Sequence, residues 1–263
     1  MEQSQLIEKI VAEVVARMQG TAARPAGAPP IPAPAAVPAL KPADIAQYID
    51  HTMLRPEAPT AAFDTLCREA LQYRFFGVCV NSCRVAYVAR KLQGTGIKVC
   101  AVVGFPLGAM TGRSKAFETR EAIEDGASEI DMVINVGLLK SGDFHGVEED
   151  IRAVRRATRG NTVLKVIIET ALLSQDEKVM ACELSKKAGA DFVKTCTGFS
   201  GGGASVEDLG LMRRVVGREM GVKASGGVRT YKNALSFIRA GANRLGCVSS
   251  VAIVTGAEGT GSY

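Results

Sequence analysis

The sequence predicts an α/β fold, a (β/α)8 TIM barrel preceded by a tethered amphipathic helix, and three observations carry that expectation. From about residue 43 onward, short apolar runs rich in β-branched residues alternate with amphipathic segments on a 3.6-residue period. Eight such pairs fill about 220 residues, near the small end of the range for this architecture. Three of the runs carry a lysine at mid-strand depth: Leu164-Lys165-Val166-Ile167-Ile168-Glu169, Phe192-Val193-Lys194-Thr195-Cys196-Thr197 and Val222-Lys223-Ala224-Ser225-Gly226-Gly227.

Strands are expected near 48–54, 75–81, 98–105, 129–136, 163–169, 191–197, 222–227 and 242–248. Helices are expected at about 60–73, 82–93, 113–125, 145–158, 175–188, 205–217, 230–240 and 250–256. A doubly wound open sheet would need a glycine-rich dinucleotide turn after an early strand, and the first three strand ends offer none. Ahead of the barrel domain (43–263), residues 1–19 place Leu6, Ile7, Ile10, Val11, Val14, Val15 and Met18 on one helical stripe, with Gly20 and Pro25 as stop signals. Residues 20–42 hold seven of the ten prolines among alanine and glycine and read as an extended linker. A helix this short is marginal alone in water, so its apolar stripe needs a partner.

Composition narrows the function. With 263 residues, 47% of them apolar, the chain can bury a large core. No uncharged apolar run is long enough to span a membrane, and the start lacks a secretory apolar block. Seven scattered cysteines point to a reducing, cytoplasmic setting without structural disulfides. The two histidines, His51 and His145, are too few for a three-histidine zinc site, so no metal is expected. The net charge of +5 suits an anionic small substrate but lacks the basic stripe of a nucleic-acid binder.

Lysine is rarely buried, because an ammonium is costly to desolvate unless paired or neutralised. A neutral amine beside another cation is a carbonyl-attacking nucleophile of the Schiff-base type. Lys194 and Lys223, on consecutive strands, can face one pocket, each disfavouring the other's charge. Asp131, inside the apolar strand Glu129-Ile130-Asp131-Met132-Val133-Ile134-Asn135, needs a cation opposite, either as a core ion pair fixing register or as part of a site. By alternation it shares a face with Asn135. Lys165 serves to neutralise Asp131 or Asp50. Glycine-rich loops follow the last three strands: Gly198-Phe199-Ser200-Gly201-Gly202-Gly203, Gly226-Gly227-Val228-Arg229-Thr230 and Gly246-Cys247-Val248-Ser249-Ser250. Barrels often grip phosphate with backbone amides at such positions.

On these strands, and on Tyr48-Ile49-Asp50-His51-Thr52-Met53-Leu54, the chain resembles deoxyribose-phosphate aldolase from about residue 44 to 256. The resemblance implies a class I aldolase that reversibly cleaves 2-deoxy-D-ribose 5-phosphate to D-glyceraldehyde 3-phosphate and acetaldehyde, with no metal or organic cofactor. It implies Lys194 as the Schiff-base lysine, Lys223 as the lysine that keeps it partly neutral, and Asp131 as a proton relay with Lys165 beside it. Asp50, Thr52, Thr197, Gly198, Gly226, Gly227, Ser249 and the C-terminal Tyr263 form the implied substrate and phosphate set. Cys79 matches a near-site cysteine of the family, and Val248 stands where the family usually has a serine. A homodimer or homotetramer is expected.

The first 42 residues extend beyond typical family members. They resemble the encapsulation peptide that docks enzymes into bacterial microcompartments, which implies a shell protein as partner of residues 1–19 and a place inside such a compartment. Glu2, Glu8 and Glu13 disfavour a mitochondrial presequence or an anionic membrane, while self-association stays open. The competing functions are another Schiff-base sugar-phosphate aldolase and a non-catalytic shell-associated adaptor.

Overall fold

The computed structural model describes residues 40–257. The expected helix at 1–19, most of the linker and Tyr263 lie outside the described residues. Eight parallel strands pair in sequence order and close into a barrel: β1 Ile49–Met53, β2 Gly77–Asn81, β3 Lys98–Val103, β4 Glu129–Val133, β5 Val163–Ile167, β6 Phe192–Lys194, β7 Gly221–Ser225 and β8 Arg244–Cys247. Around them run α1 Thr60–Tyr73, α2 Val85–Leu92, α3 Gly112–Glu124, α4 Val136–Lys140, α5 Phe144–Ala157, α6 Gln175–Lys187, α7 Val206–Val216, α8 Tyr231–Arg239 and α9 Ser250–Thr255. A 3-10 helix, Pro42–Tyr48, leads into β1 and buries Ile45 and Ala46. No helix among the described residues is long and apolar enough to cross a membrane.

The strands form because their outward side chains and the inner helix faces make one apolar layer. Val78, Val80, Ile130, Met132, Leu164, Val166 and Val222 meet Phe63, Leu66, Val147, Ile151, Val179 and Leu209 there, all buried. The helices start crisply because polar side chains satisfy first-turn amides: Thr111 accepts from Ser114, Asp143 from Gly146, Ser205 from Asp208 and Thr230 from Asn233. Ser174 and Glu177 form a full capping box. The loops that lead into these five helices are thereby closed off on the side where a barrel carries its chemistry.

All eight strands are shorter than expected, and just past β4, β5 and β6 side chains hydrogen-bond into the loops. β4 stops at Val133, and Asn135 leaves the expected face to cap the unpredicted helix α4, its Oδ1 accepting from Leu138 N at 3.1 Å. β5 stops at Ile167, and Glu169 turns left-handed at φ 59°. β6 stops at Lys194, after which the Thr195 hydroxyl donates to Ser225 O at 2.9 Å.

The register sorts the inward side chains into layers of four, drawn from alternate strands. Moving two strands around the barrel and two residues up leads from Asp50 to Cys100, Lys165, Lys223 and back to Asp50. The same step on the even strands joins Cys79, Asp131, Lys194 and Gly246 one level higher. Glu129, Phe192 and Arg244, with Gly77, lie one level below; Thr52, Val102, Ile167 and Ser225 form the top. Ionic side chains therefore fill the middle of this barrel, where aliphatic ones would ordinarily sit.

Phe63 is 1% exposed, with the Arg84 guanidinium 4.8 Å from its ring centre. Phe63→Ala is expected to cost about 3–5 kcal/mol in urea unfolding, the range for truncating a buried aromatic.

Candidate active site

Strand β4 supplies the centre. Asp131 is fully buried, and its two carboxylate oxygens collect three ammonium groups. Lys165 Nζ donates to Oδ1 at 2.7 Å, while Lys194 Nζ at 2.9 Å and Lys223 Nζ at 2.8 Å share Oδ2. The Cys100 thiol adds a bond to Oδ1 at 3.1 Å. Below this plane, Lys165 also reaches Glu129 at 2.6 Å, with Asp50 4.0 Å away. Lys223 pairs with Asp50. Arg244 clamps the base of the network, 2.9 Å from both Asp50 and Glu129, and its guanidinium lies 3.6 Å from the Phe76 ring centre. Asp50, Asp131, Lys165, Lys194 and Lys223, all anticipated from the sequence, thus meet in one cluster.

Three carboxylates (Asp50, Glu129, Asp131) face four basic groups (Lys165, Lys194, Lys223, Arg244). Lys165, Lys223 and Arg244 each hold two carboxylates within bonding distance; Lys194 holds one. Burial by itself would drive protons off Lys165 and Lys223, yet Asp131, with Glu129 for the first and Asp50 for the second, holds both above the ordinary lysine range. Burial likewise opposes ionisation of Asp131, but Lys165, Lys194 and Lys223 hold its carboxyl well below the usual range. For Asp50, burial is outweighed by Lys223 and Arg244, and the pKa falls to about 2. Three carboxylates thus face four basic groups, and the surplus amine is Lys194, which has one carboxylate partner where the others have two. It is also the lysine nearest the opening, 2% exposed against 0% for Lys165 and Lys223.

The rim is built by the loops after β5 to β8. Glu169 is buried and takes both the Thr197 amide (3.2 Å) and the Thr197 hydroxyl (2.6 Å), together with the Ser200 hydroxyl at 3.2 Å. Thr197 thus spends its donors on Glu169 and helps to fix the turn through Gly198, whose φ is 87°. Gly226 and Gly227 have φ of 80° and 75°; a Cβ on Gly226 would meet Cys196 Sγ at 2.6 Å, whereas nothing lies within 4 Å of one on Gly227. The space over Gly227 opens beside the rim. The Ser249 hydroxyl is buried with no partner, so its hydrogen-bonding capacity is unused at the start of α9. Ser250 is held differently, 2.9 Å from His51 Nδ1, while His51 Nε2 lies 2.8 Å from Glu69. Thr52 faces the top layer, but its hydroxyl donates to the Asp50 carbonyl at 2.8 Å.

Glu129, Cys100, Arg244 and Glu169 escaped the sequence reading. Glu129 shares the face of Asp131 by simple alternation, and Glu169 ends a lysine-bearing strand, so both signals were available. Arg244 had no such cue, since it lies at the strand end opposite to the loops.

The model of the DeoC/LacD family aldolases matches residues 45–256, the whole of the barrel. The chain belongs to this aldolase family. Among curated family relatives, the deoxyribose-phosphate aldolase of Streptococcus equi subsp. zooepidemicus is 56% identical over 220 residues, covering 84% of this chain and 100% of that one. The deoxyribose-phosphate aldolase of Brevibacillus brevis is 58% identical over 216 residues, covering 82% and 97%. A solved structure from Coccidioides immitis superposes with a TM-score of 0.85 at 41% identity, covering 95% of this chain and 96% of that one.

Asp50→Asn is expected to cost about 3–5 kcal/mol at neutral pH, because it leaves buried Lys223 and Arg244 short of a carboxylate. The folded carboxyl titrates at about 2, below the ~3.9 of an unfolded aspartate. Its contribution is therefore complete above about pH 4 and lost as pH falls toward 2. Urea unfolding across that window should show the gap between wild type and variant closing.

Proposed function

We propose that the protein is a class I aldolase that reversibly cleaves 2-deoxy-D-ribose 5-phosphate to D-glyceraldehyde 3-phosphate and acetaldehyde, with Lys194 as the Schiff-base nucleophile. The observation that carries this reading is the one surplus amine, at the open end of an otherwise charge-matched cluster. The names of the curated relatives support the substrate.

In the cleavage direction, uncharged Lys194 adds to the C1 aldehyde of the open-chain sugar, and loss of water leaves an iminium. That cation is an electron sink for the C2–C3 bond. Removal of the C3 hydroxyl proton breaks the bond, releases D-glyceraldehyde 3-phosphate and leaves an enamine on Lys194. Protonation at C2 and hydrolysis then free acetaldehyde. Asp131, bonded to all three lysines, relays these protons with Lys165 beside it. Lys223, held charged by Asp131 and Asp50, places a fixed positive charge beside Lys194. Ser249, with its unused hydroxyl, and the left-handed turn of Gly226 and Gly227 receive the phosphate, flanked by Thr197 and Gly198. Asp50 and Thr52 shape the pocket from β1, and Tyr263 belongs to the proposed substrate set.

We further propose that residues 1–19 dock onto a microcompartment shell protein through their apolar stripe, with residues 20–42 as tether, so that the enzyme works in the cytoplasm inside such a shell. Confinement of a volatile, reactive aldehyde is the chemical rationale. A homodimer or homotetramer is the proposed assembly; a family relative from Aeropyrum pernix, 32% identical with a TM-score of 0.77 over 82% of this chain and 91% of that one, is described as a tetramer.

Lys194→Ala should abolish turnover in a coupled cleavage assay, and borohydride with substrate should fix an adduct to Lys194 in the wild type alone; an equal adduct in the variant would overturn the assignment. Lys223→Leu should lower kcat in the same assay, since it removes the fixed positive charge that shares Asp131 Oδ2 with Lys194. Residues 1–20 fused to a fluorescent protein should concentrate in assembled shells, and a diffuse signal there would remove the targeting proposal.

A further inference from the structure

Two thiols inside the barrel have no part in the cleavage chemistry, although they touch its centre. Cys79 and Cys100 are direct register partners on β2 and β3, both buried, with sulfur atoms within 4.8 Å of each other. Adjacent strands hold Cα atoms about 4.8 Å apart, inside the ~4.4–6.8 Å window of a disulfide. Both side chains point into a closed barrel, where inward vectors converge. The other cysteines are placed differently: Cys83 is exposed, Cys196 Sγ donates to Ser225 O at 2.8 Å, and Cys67, Cys182 and Cys247 pack in the outer apolar layer.

We propose that Cys79 and Cys100 are a dithiol which hydrogen peroxide converts to a reversible disulfide, silencing the site. The roles of the two sulfurs differ. The bond from Cys100, against burial and with help from Lys223, holds the Cys79 thiol below its usual range, while burial pushes Cys100 well above its own. Cys79, in the layer of Lys194 and one level nearer the opening than Cys100, is the sulfur that peroxide meets first, and it attacks as the thiolate. Its sulfur bonds to one peroxide oxygen as the O–O bond breaks, giving a sulfenic acid and hydroxide. The Cys100 sulfur then displaces the second hydroxide as the S–S bond forms, and its proton leaves with that oxygen as water. Both sulfurs are oxidised together by two electrons and the peroxide is reduced to two waters.

Access rests on the proposed function: Cys79 shares its layer with Lys194, so a route open to a sugar is open to peroxide. The consequence falls on Asp131. Cys100 now donates 3.1 Å to its Oδ1 and accepts from Lys165 at 3.4 Å; the disulfide removes that donor and draws the Cys100 sulfur toward β2.

The test uses the full chain carrying Cys83→Ser, which removes the exposed thiol. After peroxide, alkylation and digestion, a cross-linked peptide pair joining positions 79 and 100 is expected, with the intact mass lower by two hydrogens. Aldolase activity should fall in step with the cross-link, and dithiothreitol should restore both. In Cys100→Ala the cross-link should vanish, and peroxide should drive Cys79 to a sulfinic acid that dithiothreitol leaves unchanged. Alkylation of both thiols after peroxide, or the same reversible inactivation in Cys100→Ala, would overturn the proposal. A cross-link in a protein that never cleaves deoxyribose phosphate would instead reject the proposed function and leave the dithiol standing.

Discussion

A single carboxylate governs the interior of this barrel. Asp131 holds three lysines by its two oxygens, and each contact is 2.9 Å or shorter. An isolated ammonium at this depth would lose its proton or unfold the site, because water cannot solvate it. Around Asp131 the lysines keep one another in place: Lys165 is tied downward to Glu129, Lys223 sideways to Asp50, and Lys194 is left with Asp131 alone. The same network supplies fixed positive charge next to one under-partnered amine, which is what nucleophilic attack on a carbonyl requires.

The barrel's stagger makes this arrangement possible. Lys165 and Lys223 fall in one layer with Asp50, whereas Lys194 falls one level higher with Asp131. Without the step between layers, the three ammonium groups would crowd one plane and repel. With it, the two lower lysines are locked among carboxylates and the upper one is presented toward the loops. Arg244 and Phe192, beneath, seal the floor so that the field is not screened from below.

The rim follows a different logic. Glu169 faces amide and hydroxyl donors of Thr197 and Ser200, and it organises the loop after β6 as a bound anion would. Cys196 and Thr195 both reach Ser225 O, which ties that loop to the one carrying Gly226 and Gly227. The loops proposed to receive substrate are thus braced on the scaffold by side-chain bonds, which fits a preformed pocket.

The amino-acid sequence by itself determined the alternation of strand and helix, because a period of two against one of 3.6 is written locally in the side chains. It also determined that Lys165, Lys194, Lys223 and Asp131 lie in strands, since each interrupts an apolar run. What it left undetermined was level. Alternation says which face a residue takes, but the layer it joins depends on the register between strands far apart in the chain, and only closure of the barrel sets that. Glu129 and Arg244 therefore emerged as partners only in three dimensions, 115 residues apart and 2.9 Å from each other. Past the strand ends, tertiary contacts likewise took part, with Glu169 reaching Thr197 and the Thr195 hydroxyl reaching Ser225 O.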